Sequence, residues 1–173
     1  MNDVLNCIKT RRSVKSYKPD MPKREDINTV IEAGIAAASG RNMQAPIVVA
    51  IANKALRDEL SAANAAVMGM NADPFYGAPV VLVVLSRKSA HTYIYDGSLV
   101  LGNMMLAASS LGLGSCWVHR AKEVFDTPRW REFLISLGIT EEVEGIGNLI
   151  LGYADTTLPA DKPRAPGRVY YAD

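Results

Sequence analysis

The sequence predicts an α+β domain in which helices flank a small mixed β-sheet. Three observations carry this expectation. Segments with helical apolar spacing are interspersed with three short β-branched runs. They do not follow the regular strand–helix–strand rhythm of a doubly wound parallel sheet. No glycine-rich phosphate turn of the GxGxxG or Walker type follows any strand.

The elements follow in order. Val4, Leu5 and Ile8 form an apolar stripe after Asn2 or Asp3, either of which caps a short amphipathic helix. A basic segment over 10–24 follows, with Pro19 and Pro22 marking loop. Ile27, Val30, Ile31, Gly34, Ile35 and Ala38 recur at helical spacing and predict a helix over 24–39, closed by the Ser39-Gly40-Arg41-Asn42 loop. The apolar run 47–52 predicts a buried strand, 54–67 an alanine-rich helix, 68–79 a loop and 80–85 a second buried strand. A long apolar helix over 93–111 stops at Gly112 and Gly114 and feeds a short strand over 115–118. Thr127-Pro128 reads as an N-cap with proline at the first helical position, and Gly138 closes that helix. A third clear strand covers 146–151. The tail 155–173 ends Val169-Tyr170-Tyr171, apolar enough that it is expected to pack on something, such as another subunit.

Length and composition set the class. The chain has 173 residues, 49% of them hydrophobic and 21% charged, which fits a single globular domain over 1–173. Its formal net charge is +1, which argues against a nucleic-acid or anionic-membrane partner. The balance is uneven: residues 1–24 carry seven basic and two acidic side chains, and the remainder is mildly acidic. The two cysteines form no CxxC pair, and the two histidines belong to no metal-ligand cluster. Cys116 reads as a small buried hydrophobe and His91 as a surface loop residue. The N-terminal residues show no signal-peptide pattern, so a cytoplasmic location with reduced thiols is expected. The uncharged stretch 97–118 is long enough to span a bilayer. Its glycines, serines and Asn103 favour a helix buried all round in a soluble core.

Four patterns can carry chemistry. Arg11-Arg12-Ser13-Val14-Lys15 puts two guanidiniums, a hydroxyl and an ammonium within five residues, a donor set matched to phosphate. Ser39, Asn42 and Gln44 lie in a small-residue loop whose amides suit a heterocycle's donor and acceptor edges. Gly112-Leu113-Gly114-Ser115-Cys116-Trp117-Val118-His119-Arg120 brings backbone close to a planar ligand. Gly152-Tyr153, then Lys162-Pro163-Arg164 and Arg168, add cationic reach for an anion. Each alone also fits a plain structural reading: a solvated charge run, a helix C-terminal loop, a helix stop feeding a strand, or a solvated tail.

Taken in order, these motifs resemble the nitroreductase family of flavoenzymes along nearly the whole chain. The resemblance implies an α-β-α sandwich and a homodimer with FMN at the subunit interface. It places Arg11, Arg12 and Ser13 on the flavin phosphate or ribityl chain, with Lys162 and Arg164 completing the phosphate site. Lys15 would meet the pyrimidine edge. Ser39, Asn42 and Gln44 would come from the partner subunit, and Trp117, Val118 and His119 would line the ring. An asparagine at the ring corresponds to Asn64 or Asn71. His119 and Arg120 depart from the glycine or glutamate common in the family there. The longer relatives' capping excursion is replaced by the loop 68–77, whose Phe75 and Tyr76 either wall the substrate site or pack against the next strand.

The implied activity is a ping-pong transfer of electrons from NADH or NADPH to a small nitroaromatic, quinone or related acceptor, with no protein nucleophile. The alternative is a flavin-binding sensor or storage protein without nicotinamide turnover.

Overall fold

Six helices and four strands make up the computed structural model, which describes residues 2–158 and 160–172. The strands are β1 (Pro46–Ile51), β2 (Val80–Arg87), β3 (Gly114–Val118) and β4 (Val143–Gly152), in the spatial order β1-β2-β4-β3. Every strand pair is antiparallel. The parallel component expected of a mixed sheet is confined to one bridge, Ser13 to Ser115.

The run Val80 to Leu85 is wholly buried because both sheet faces are covered. Alternation sends Val81, Val83 and Leu85 to one core with Phe75, Val124, Phe125 and Trp130. Val80, Leu82 and Val84 go to a second core with Val30, Val100, Leu101 and Met104. Each such side chain contributes about 2 kcal/mol of apolar burial. The result is the helix–sheet–helix sandwich the family resemblance implied.

The helices are α1 (Asp3–Thr10), α2 (Arg24–Ile35), α3 (Lys54–Met68), α4 (Tyr93–Ser110), α5 (Ala121–Phe125) and α6 (Pro128–Ser136). Asn2 rather than Asp3 caps α1, its side chain accepting from the Leu5 amide. The helix expected over 24–39 ends earlier, at Ile35, and a short 3-10 turn follows at Gly40–Asn42. Thr127 sits at the cap position of α6, but its hydroxyl donates back to the Val124 carbonyl instead of accepting from the new helix.

The long apolar helix α4 is not buried all round. Gly97, Val100, Leu101, Met104 and Ala108 face the core, whereas Ile94, Tyr95 and Leu99 are exposed. The tail likewise leaves Val169, Tyr170 and Tyr171 exposed. No helix among the described residues is long and apolar enough to cross a membrane.

Candidate functional site

The basic segment after α1 crosses the end of the sheet beside β3. Ser13 makes its bridge to Ser115, with the Val14 amide donating to the Ser115 carbonyl at 3.1 Å. Val14 is buried against Gly114, where any side chain would collide with it. Tyr17 is buried too, its hydroxyl donating to the Val14 carbonyl, and burial raises its phenol pKa far above the ordinary value. These anchors fix Arg11, Arg12, Ser13 and Lys15 against the sheet.

Two cavities flank this segment. One, of about 610 Å³, is lined by Arg11, Arg12, Ser13, Lys15, Lys162 and Arg164, among others. Its one carboxylate, Asp161, pairs with Arg12 at 2.8 Å and is largely exposed. Among the described residues, Arg11 Nη1 and Arg12 Nε are buried with no hydrogen-bond partner. A buried donor without an acceptor is costly, so these nitrogens mark a place for an anion.

The second cavity, of about 550 Å³, shares Ser13 and Lys15 with the first. It runs along the β3 edge past Cys116, Trp117, Val118, His119 and Arg120, and is closed by Met68, Met70, Pro74 and Tyr76. Strand β3 is an edge strand: among the described residues it pairs with β4 on one side and meets the Ser13 bridge on the other.

The loop between α3 and β2 is held by Asp73. Its carboxylate accepts from Arg57 at 2.7 Å, from Ser61, and from the Phe75 and Gly77 amides at 2.8 Å. Burial alone would raise the Asp73 pKa; these hydrogen bonds outweigh it and hold the carboxyl below its ordinary value. Phe75 and Tyr76 go to different places. Phe75 is fully buried in the core, while Tyr76, at a positive φ of 52°, lines the cavity with Lys15 Nζ 5.8 Å from its ring centre.

The sequence profile of the nitroreductase family matches residues 8–72 and 62–153. The chain belongs to the nitroreductase family. It is 29% identical to a nitroreductase with bound FMN from Bacteroides fragilis, with a TM-score of 0.90 over 100% of both chains. It is 30% identical to a nitroreductase with bound FMN from Desulfitobacterium hafniense, TM-score 0.86, again over 100% of both. Among curated relatives, an NADPH-flavin oxidoreductase of Vibrio harveyi is 27% identical over 98% of this chain and 72% of its own length.

Within this nitroreductase-family fold, nine of the twelve residues singled out in the sequence line the two adjacent cavities: Arg11, Arg12, Ser13, Lys15, Trp117, Val118, His119, Lys162 and Arg164. Ser39, Asn42 and Gln44 line neither cavity. They knit a separate loop, the Ser39 hydroxyl accepting from the Gln44 amide and Asn42 Oδ1 from Gln44 Nε2. That loop is tied to α4 through the Gly40 amide and Asp96.

Neither asparagine matched to the family's ring contact lines the second cavity. Asn64 is fully buried; its amide donates to the His119 carbonyl at 2.9 Å and its Oδ1 accepts from Arg120 Nε at 3.1 Å. Asn71 is exposed beside Asp73. Cys116 is buried as expected, yet it also borders the cavity. Sequence reasoning missed the Asn64–His119–Arg120 link and the sharing of Lys15 with Tyr76, because partners 55 or more residues apart leave no local spacing signal.

Proposed function

We propose that the chain is an FMN-dependent oxidoreductase that takes electrons from NADH or NADPH and reduces nitroaromatics, quinones or related acceptors by a ping-pong mechanism. The observation that carries this reading is the buried pair Arg11 Nη1 and Arg12 Nε, unpartnered among the described residues, in a cationic cavity that shares Ser13 and Lys15 with a second one at a strand edge. A phosphate end and a planar end fit these two spaces in turn.

Arg11, Arg12, Ser13, Lys162 and Arg164 would hold the phosphate and ribityl oxygens of FMN. Lys15, shared by both cavities, would meet the pyrimidine edge and favour negative charge developing there. Backbone groups of Trp117, Val118 and His119 would line the ring edge. The chemistry supplied by the bound group is electron transfer between a nicotinamide and an organic acceptor. The protein orients the partners and excludes water; no side chain acts as nucleophile.

The reading includes a homodimer. Ser39, Asn42 and Gln44 lie away from both cavities of their own chain, which supports their serving the site of a second copy. The exposed apolar residues Ile94, Tyr95, Leu99, Tyr170 and Tyr171 supply surface for such a partner. A cytoplasmic location completes the proposal. Initial rates with NAD(P)H and a quinone test the mechanism: parallel double-reciprocal lines are expected, and intersecting lines exclude a ping-pong cycle.

A further inference from the structure

The second cavity has a cationic wall that flavin binding does not account for. Arg120 adopts a left-handed backbone, φ 73°, at the end of β3. Glycine takes that conformation at no steric cost, whereas an arginine there carries backbone strain. Its guanidinium is held at one point only. Nε donates to Asn64 Oδ1 at 3.1 Å, and Asn64, itself fully buried, is fixed by its bond to the His119 carbonyl. The His119 carbonyl is fixed in turn by Asn148 Nδ2 at 3.4 Å.

Pinning Nε leaves Nη1 and Nη2, the end-on fork of the guanidinium. Among the described residues neither has a hydrogen-bond partner or a carboxylate within ion-pair distance. Asp73 is the one acid on the cavity wall, and both its oxygens are already engaged by Arg57, Ser61 and two loop amides. Met68, Met70, Pro74 and Tyr76 provide apolar surface alongside.

We propose that Arg120 is a specificity-determining residue, which selects acceptors carrying a carboxylate on a planar aromatic body. Two parallel N–H donors match the two oxygens of a carboxylate, and the apolar wall matches the ring. The phosphate-binding cations lie in the other cavity, so Arg120 is free for this task. The buried Asn64 is the positioning residue behind it. This proposal rests on the second cavity being the acceptor site of the FMN-bound protein.

Dead-end ligands test it without turnover. Benzoate and benzamide differ in charge and little in shape. Their dissociation constants are read from the perturbed absorption of protein-bound FMN, for the wild type, Arg120→Gln and Arg120→Gly. The glycine variant keeps the left-handed backbone, so a folding fault in the glutamine variant does not decide the outcome. The wild type is expected to bind benzoate about tenfold or more tighter than benzamide, as a charge-assisted hydrogen-bond pair requires. Both variants lose that preference and keep benzamide affinity. In the wild type, kcat/KM for 4-nitrobenzoate over 4-nitrobenzamide follows the same ratio.

Equal affinities in the wild type, or a preference that survives both substitutions, overturn the proposal. So does a rise in KM for NADPH with benzoate binding unchanged, which assigns Arg120 to a donor phosphate instead. Failure of the underlying reading looks different: benzoate still discriminates between wild type and variants, but NAD(P)H leaves the flavin oxidised.

Discussion

At the scale of the residue, the cationic cavity makes the first quantitative expectation. Arg11→Ala or Arg164→Ala weakens FMN binding by about 1.5–3 kcal/mol if each makes a charged hydrogen bond. Fluorescence titration of the apoprotein measures this, and unchanged affinity in both variants removes the phosphate from this cavity. Asp73 gives a pH expectation. Its carboxyl is held below the ordinary value in the fold, so its anchoring is complete above the unfolded carboxyl's pKa, about 4, and is lost as pH falls through the lower folded value. Protection of the loop 68–77 amides, taken as the observed exchange rate relative to the intrinsic rate at each pH, therefore falls only on acidification. In Asp73→Asn the loop exchanges fast at neutral pH and loses that acid dependence. The residues of the basic head and of Lys162-Pro163-Arg164 were legible because their chemistry is dense in sequence. Arg120 was visible only as a departure from the family pattern. Its bond to Asn64 spans 56 residues and comes from the fold alone.

At the scale of the element, apolar runs and helix stops located most strands and helices closely: Gly112 and Gly138 take positive φ just past α4 and α6, where the sequence put the stops. The helix α5 went unread because five residues carry too little periodicity. Its place is set instead by β4. A register shift opposite Val84 and Leu85 brings Gly145 under α5, where a Cβ would run into the backbone of Ala121 and Lys122. Gly145→Ala is expected to destabilise the fold by about 1–3 kcal/mol, since overpacking against backbone has no flexible side chain to absorb it. A urea midpoint lowered at constant slope is the readout. A midpoint equal to the wild type would mean that α5 and β4 are not in this close contact. The expectation that α4 is buried all round failed for a physical reason: an apolar sequence states that a face avoids water, not that its own chain covers it.

At the scale of the whole molecule, that uncovered face and the exposed tail predict a second copy. Light scattering at micromolar concentration is expected to give twice the chain mass, and a stable monomer would leave Ser39, Asn42 and Gln44 without a site. The net charge of +1, which argued against anionic polymers, conceals a basic head that lines a cationic cavity of about 610 Å³. The family and the sandwich were legible from the order of the motifs. The placing of two cavities on either side of Ser13 and Lys15 was not, because it depends on the bridge between the head and β3. The central claim is that these two adjacent cavities hold FMN and that it takes electrons from a nicotinamide. The absorption spectrum of the purified protein, before and after anaerobic addition of NADH or NADPH, tests it most directly. Bound oxidised flavin that bleaches on addition is the predicted result. A protein that stays colourless after incubation with FMN, or a bound flavin that neither nucleotide bleaches, contradicts it.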